Sequence, residues 1–161
     1  MADCTILTIT CDEQFLVLLR KELHDQIGGG NPMIVAATID EACSLLPMAH
    51  PRLIVVHWNR HGGRYEELNR LLWATTVLAR GVPVLVIADR YRIDQATTFY
   101  RMGVTEYISR THHQDQFGRI LDTYLRHRPA SRPPDAATPD DQIQSVKAWS
   151  STPRSFKAHV V

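Results

Sequence analysis

The chain alternates five short apolar segments with five helix-like segments, and this alternation limits its fold more than any other feature. The segments have the length of strands, and several are rich in β-branched residues. Residues 53–56 are apolar at every position, which is typical of a strand covered by helices on both sheet faces. We therefore predict an α/β fold: a doubly wound, flavodoxin-like parallel sheet of five strands and five helices, in strand order 2-1-3-4-5. The predicted strands are 5–10, 33–37, 53–56, 82–88 and 104–109.

Capping residues and helix breakers set the limits of the predicted helices. Asp12 is a suitable N-cap for the first helix, and Thr38 or Asp40 starts the second. The second helix is expected to stop near Pro47, because proline removes a backbone donor. Gly103 is expected to end the fourth helix. The last three predicted helices cover residues 65–79, 93–102 and 114–127.

Polar and small residues follow the predicted strands at their carboxyl ends. In a sheet of this order, the carboxyl ends of strands one, three, four and five meet at one edge, where ligands bind. The side chains expected at this edge are those of Thr10, Cys11, Asp12, His57, Asn59, Ala88, Asp89 and Arg110.

The composition changes after residue 127. Residues 1–127 are expected to form one domain, whereas residues 128–161 are expected to form a proline-rich, disordered linker and tail. Trp149 and Phe156 are large aromatic residues in this tail. They are either anchors for a partner protein or incidental, and residues 158–161 are an alternative segment for strand addition to a sheet edge.

Charge and cysteine content narrow the choice of partners and compartment. With 18 basic and 17 acidic residues, the sequence gives no electrostatic reason to expect nucleic acid or an anionic membrane. The three cysteines are scattered, which favours free thiols in a reducing compartment. We find neither a signal peptide nor an apolar run approaching the ~20 residues of a membrane span. A cytoplasmic location is therefore expected.

Three segments resemble the receiver domain of two-component response regulators, over residues 5–125. Residues 51–57 (Pro-Arg-Leu-Ile-Val-Val-His) are similar to the family's third strand, which runs from Pro-Asp-Leu to the phosphorylated aspartate. Residues 82–88 are similar to its fourth strand. Residues 103–110 (Gly-Val-Thr-Glu-Tyr-Ile-Ser-Arg) are similar to its Gly-Ala-x-x-Tyr-φ-x-Lys segment. The resemblance implies a CheY-like fold.

The resemblance also identifies the positions where the family performs phosphoryl transfer, and this chain departs from the family at each of them. His57 replaces the phospho-acceptor aspartate. Thr10 and Cys11 occupy the positions of the acidic pair that binds Mg²⁺, or Cys11 and Asp12 if the register slips by one residue. Ala88 replaces the hydroxyl residue, and Arg110 replaces the lysine. The resemblance therefore indicates a pseudo-receiver that is not an enzyme and needs no cofactor.

Tyr107 stands at the position of the family's switch aromatic. Without a phosphoryl signal we expect it to be fixed rather than to change rotamer. Tyr100, Tyr107 and the last helix belong to the face that many receivers use for docking. The resemblance thus implies an unidentified protein partner in bacterial signalling, and leaves open a homodimer through the last strand and helix.

An alternative function is a sensor that binds a metal ion or a small ligand. His57, His61, His112 and His113 could face the same edge as Cys11, and zinc accepts both imidazole and thiolate ligands. Their spacing is irregular, however, so we interpret the histidines as solvated loop residues and expect no metal site.

Overall fold

The computed structural model describes residues 5–27, 32–59 and 64–126 of the 161-residue chain. Strands and helices alternate through these residues, as the sequence predicts. In chain order the elements are β1 (Ile6–Ile9), α1 (Glu13–Ile27), β2 (Met33–Ala36), α2 (Ile39–Ala49), β3 (Leu53–Trp58), α3 (Tyr65–Leu78), β4 (Val84–Ala88), α4 (Ile93–Met102), β5 (Glu106–Ser109) and α5 (Gln114–Arg126).

The five strands form one parallel sheet in the order β2-β1-β3-β4-β5. The predicted flavodoxin-like, CheY-like fold is therefore confirmed. The chain first runs outward from β1 to β2 and then returns to β3 on the other side of β1. This reversal opens a crevice at the carboxyl ends of β1 and β3, which is where ligands bind in sheets of this type.

The side chains of β3 alternate between two apolar cores on opposite faces of the sheet. Leu53 and Val55 pack with buried residues of α1 and α5. Ile54 and Val56 pack with buried residues of α2, α3 and α4. Each face of the strand is thus covered by helices, which explains why β3 is apolar without alternation. Burying each large apolar side chain contributes about 1.5–3 kcal/mol, so both faces stabilise the fold.

Local side-chain and backbone chemistry sets the ends of α2 and α4. The Thr38 hydroxyl oxygen accepts a hydrogen bond from the Glu41 backbone N–H at 3.2 Å, so Thr38 rather than Asp40 is the N-cap of α2. The Glu41 carboxylate accepts in turn from the Ala37 N–H at 2.7 Å. Gly103 ends α4 with φ near +100°, a conformation that glycine adopts at low cost.

The second helix ends near Pro47, as predicted, but proline is not the cause, because α2 continues through Pro47 to Ala49. Pro47 lies in the last turn of the helix, where its ring deprives only one carbonyl, that of Cys43, of an amide donor. The helix ends instead where His50 takes a left-handed conformation, with φ 41° and ψ 53°, just before Pro51. Proline marks the end of this helix only to within one turn.

Several strand limits also differ from prediction. β3 extends two residues beyond the predicted 53–56, to Trp58, because His57 and Trp58 pair with Ile87 and Ala88 of β4. β4 and β5 begin two residues later than predicted, at Val84 and Glu106. Where a strand begins and ends depends on how far the neighbouring strand pairs with it. The sequence of one segment does not contain that information.

None of the described helices combines the length and hydropathy that a membrane span requires. Residues 127–161, which include the predicted tail with Trp149 and Phe156, lie outside the described part of the chain, as does His61. The division at residue 127 therefore stays a prediction.

Candidate functional site

The side chains of a strand alternate between the two faces of the sheet, and this alternation brings four polar residues together. His57 has the parity of Leu53 and Val55, so it points toward α1 and α5. The same parity, continued past the ends of the other strands, assigns the remaining three residues to this face. These four residues, which we call the strand-end site, are Thr10, His57, Asp89 and Arg110.

The side chain of His57 is buried, and both its ring face and one ring nitrogen have partners. Its side chain is only 2% exposed. The imidazole stacks on the Phe15 ring of α1, with centroids 4.2 Å apart and planes 2° from parallel. Nδ1 lies 3.0 Å from the Thr10 hydroxyl oxygen. That oxygen also accepts the Asp12 backbone N–H at 3.0 Å, which ties the end of β1 to the imidazole.

Asp89 is the acidic residue of the site and lies between His57 and Arg110. Its Oδ1 is 2.8 Å from Nη2 of Arg110 and 3.7 Å from Nε2 of His57. The contact between Asp89 and Arg110 is an ion pair. The distance between Asp89 and His57 is too long for a hydrogen bond, so Asp89 acts on the imidazole through its charge alone. Sequence reasoning placed Asp89 at this edge without a role. The parity of β4 was the signal that could have assigned it to the face of His57.

The hydrogen bonds favour one tautomer of His57. If the ring proton is on Nε2, Nδ1 accepts from the Thr10 hydroxyl while the N–H dipole points toward the Asp89 carboxylate. Burial lowers the pKa of His57 below its ordinary value, and the Arg110 charge adds to this effect. The carboxylates of Asp89 and Asp12 oppose it. The net result is a lowered pKa, which favours the neutral imidazole over the protonated one.

Cys11 and Asp12, the remaining candidates after β1, have different surroundings. The Asp12 Oδ1 atom accepts the backbone N–H groups of Gln14 at 2.9 Å and Phe15 at 3.2 Å, so Asp12 is the predicted N-cap of α1. Cys11 is exposed and lines, with Thr10, a cavity of about 340 Å³ beside the start of α2. Neither register therefore supplies two carboxylates of the kind that Mg²⁺ prefers.

Ala88 and Arg110 complete the positions singled out by the resemblance. Ala88 is buried and has no hydroxyl to contact a phosphoryl oxygen. Its backbone carbonyl accepts the Arg110 N–H at 2.8 Å, which fixes the chain after β5 against the end of β4. The Arg110 guanidinium extends to Asp89, a partly exposed pair that stabilises the fold by at most about 1 kcal/mol.

The two histidines after β5 each contact Ser109, one through the serine hydroxyl and the other through the backbone N–H. The Nδ1 atom of His112 lies 3.0 Å from the Ser109 hydroxyl and 3.1 Å from that of Thr111. Nδ1 of His113 accepts the Ser109 backbone N–H at 3.0 Å. Among residues 5–27, 32–59 and 64–126, no three histidine, cysteine or acidic side chains are grouped as a metal ion would require. The alternative of a metal sensor therefore gains no support from these residues.

Tyr107 is buried and its hydroxyl group has three partners. The hydroxyl lies 3.1 Å from the Gln95 side-chain oxygen and 3.3 Å from the Arg90 carbonyl, and it accepts the Arg92 N–H at 3.3 Å. The ring stacks on Tyr91 with centroids 5.2 Å apart. These contacts hold the ring turned inward, toward the start of α4.

Tyr100 lies on the outer side of Tyr107 and is 46% exposed. Its hydroxyl donates to Glu106 at 3.1 Å and accepts the Tyr107 backbone N–H at 3.3 Å. Tyr124 of α5 donates to the other Glu106 oxygen at 3.2 Å. With Ile93, which is 72% exposed, these residues form a surface that we call the α4–β5 face: Ile93, Tyr100, Glu106 and Tyr124.

The fold is similar to that of solved response-regulator receivers. A receiver domain of a DNA-binding response regulator from Colwellia psychrerythraea 34H is 15% identical, with a TM-score of 0.65 over 78% of this chain and 100% of that one. A response regulator from Burkholderia multivorans is 22% identical, with a TM-score of 0.59 over 79% and 98%. An orphan response regulator of H. pylori is 14% identical, with a TM-score of 0.60 over 76% and 97%.

No protein-family model and no curated protein matches this sequence. At these low identities the structural likeness shows the receiver fold and nothing finer.

Proposed function

We propose that this chain is a receiver-fold module for protein–protein interaction that acts without phosphorylation. The likeness to response-regulator structures supports a role in bacterial signal transduction, in the cytoplasm. The module works by binding and carries out no catalysis. The proposal also takes residues 1–127 as the module and residues 128–161 as a tail that offers a second contact through Trp149 and Phe156.

The observation that carries the proposal is that an imidazole, His57, stands at this position and that its side chain is buried. An aspartyl phosphate needs a carboxylate at this position, and imidazole cannot form one. A phosphoryl group on the imidazole would need an accessible nitrogen. Nδ1 contacts the Thr10 hydroxyl, and the side chain is 2% exposed. The ring is also stacked on Phe15, which blocks one of its faces.

The charges of the strand-end site support the same conclusion. Mg²⁺ binds hard oxygen ligands, above all carboxylates. Asp89 is already paired with Arg110 at 2.8 Å, and Asp12 uses Oδ1 to cap α1. A Mg²⁺ ion would have to compete with an internal cation for Asp89 and with a helix cap for Asp12.

The α4–β5 face is the surface that we propose for the protein partner. It combines an exposed apolar side chain, Ile93, with the amphipathic ring of Tyr100, and such rings are common at interfaces. Glu106 holds the Tyr100 and Tyr124 hydroxyls, so little side-chain freedom is lost when a partner covers them. A homodimer through β5 and α5 remains an alternative use of this region.

The proposal is tested by an amide NMR titration of the full chain with Mg²⁺, followed by beryllofluoride, which mimics a phosphoryl group on aspartate. We expect no saturable shift at His57, Ala88, Tyr107 or Arg110. A phosphorylatable receiver domain, titrated in the same buffers, is the positive control for the reagents.

Non-specific effects are separated by the amides of Gly81 and Gly103, which lie at the opposite edge of the sheet. Shifts that appear equally at both edges would be salt effects and would leave the proposal standing. Saturable shifts confined to the strand-end site would mean that it still binds a phosphoryl-like ligand, and the proposal would be abandoned.

A further inference from the structure

The outer face of α3 carries apolar side chains that the described part of the chain leaves exposed. Trp73 is 70% exposed and Val77, one turn further along the helix, is 51% exposed. The spacing of four residues places the two side chains next to each other on the helix surface. A tryptophan normally buries 150–250 Å² in a core or an interface, so this exposure requires an explanation.

Trp73 and Val77 border an open groove of about 550 Å³. Its other apolar walls are Leu72, Val82 and Met102, and it ends near the backbone turns that lead into β4 and β5. The groove therefore lies at the amino edge of the sheet, opposite the strand-end site. It is separate from the α4–β5 face, and no part of the proposed function uses it.

Two charged residues flank Trp73 at equal distances along the chain. Glu66 precedes it by seven residues and lies in the first turn of α3, whereas Arg80 follows it by seven residues and lines the groove. Both side chains are exposed. Glu66 lies two helical turns, or about 10 Å along the axis, before the indole. Arg80 lies in the turn after Leu78, where α3 ends, so an acid and a base stand at opposite ends of this face.

We propose that a second copy of this chain covers this face, with the two α3 helices packed antiparallel about a two-fold axis at Trp73. A two-fold axis makes residue i face residue j and residue j face residue i. Trp73 then meets its own equivalent, and each Glu66 faces the Arg80 of the other copy. The two indoles fill the grooves on either side of the axis.

The remaining charges on this face argue for a second copy over a strongly charged partner. Arg70, one turn before Trp73, is already paired with Asp40 of α2 at 3.0 Å. The flanking positions thus present one acid and one base, and an antiparallel copy satisfies both at once. A parallel arrangement would place Glu66 against Glu66 and Arg80 against Arg80, which like-charge repulsion disfavours.

The test is sedimentation velocity of the full chain over a wide range of protein concentrations at low salt. The wild type should shift with concentration from the 18.3 kDa chain mass toward twice that mass. Glu66→Arg and Arg80→Glu should each abolish the shift, because each places like charges together twice across the axis. The double variant Glu66→Arg/Arg80→Glu restores opposite charges and should recover the dimer.

Three further variants make the result specific. Trp73→Ser should also give a single-chain mass, whereas Met48→Ser, which removes another exposed apolar side chain at 75% exposure, should dimerise like the wild type. Ile93→Glu, on the α4–β5 face, should dimerise as well. Thermal melting followed by circular dichroism would verify that each variant is folded.

A wild type that sediments as one chain at every concentration would overturn the proposal. So would a dimer that survives both single charge reversals, or one that Ile93→Glu abolishes while Trp73→Ser does not. Failure of the charge swap to restore a dimer lost in both single variants would refute the antiparallel arrangement. None of these outcomes bears on phosphorylation, so this inference and the proposed function can fail independently.

Discussion

At the residue scale, the strand-end site depends on one buried imidazole and one half-exposed carboxylate. His57 is enclosed by Phe15 and Thr10, and Asp89 is the charge that approaches its Nε2 atom. Burial opposes protonation of the ring, and Asp89 only partly offsets this effect. Two measurable consequences follow, one for stability and one for the titration of the ring.

The first prediction concerns the pH dependence of folding. The folded-state pKa of His57 is lowered by burial, so between that pKa and the ordinary value of about 6.5 the unfolded chain binds a proton that the folded chain does not. The free energy of unfolding should therefore fall as the pH drops below about 6.5. Urea unfolding at pH 7.5 and pH 5 should show a larger loss for the wild type than for His57→Asn. Equal losses in the two proteins would contradict the prediction.

The second prediction concerns Asp89. Its carboxylate raises the pKa of His57, so Asp89→Asn should lower that pKa further, and should also leave the Arg110 charge unopposed beside the ring. NMR titration of the imidazole protons would measure the midpoint directly. Asp94→Asn is the matched control, because Asp94 pairs with Arg92 on the exposed start of α4. A midpoint that rises in Asp89→Asn would show that the assigned charge contacts are wrong.

At the scale of single elements, α4 has one face buried against the sheet and another face exposed. Ala96 and Phe99 are buried against the sheet, while Ile93 and Tyr100 are exposed. Helical periodicity separates these faces, so an outward substitution should alter binding without disturbing the core. This separation makes the α4–β5 face open to direct test.

We expect Ile93→Glu to abolish capture of the protein partner while leaving the melting temperature within about 2 °C of the wild type, because it places a charge in an interface but none in the core. Val17→Glu on α1 is the matched control, since Val17 is 67% exposed. A quantitative pull-down would measure how much of the partner protein is captured by the wild type and by each variant. A partner lost equally from both variants would argue against the α4–β5 face.

At the scale of the whole molecule, stability depends on two cores, one on each face of the sheet. The described buried residues of both cores lie between Ile6 and Leu125. Because helices cover both faces of the strands, the cores share the sheet and are expected to unfold together.

Removal of residues 128–161 should therefore leave the fold and its cooperative unfolding intact, with a change in melting temperature of no more than about 2 °C. Thermal unfolding of the truncated and full chains, followed by circular dichroism, is the measurement. A fall of ~10 °C or more would mean that the tail packs on the domain, and the division at residue 127 would have to be withdrawn.

The fold could be predicted from the sequence alone, because the alternation of apolar strands and amphipathic helices leaves few topologies once crossovers must be right-handed. The sequence also indicated which residues stand at the carboxyl edge of the sheet, since Thr10 and Arg110 directly follow strands and His57 is the next-to-last residue of β3. Local chemistry was enough for the caps at Asp12 and Gly103. It was not enough for Pro47, because the helix could tolerate the loss of one amide donor in its last turn.

How those residues interact depends on the packing of the folded chain. The burial of His57, its stacking on Phe15 and the place of Asp89 between His57 and Arg110 all depend on the register and side-chain parity of four strands. The exposure of Trp73 likewise depends on which face of α3 the sheet leaves uncovered. Periodicity along one segment predicts that a buried face exists. The distances between side chains on different segments are set by packing, and a sequence contains them only indirectly.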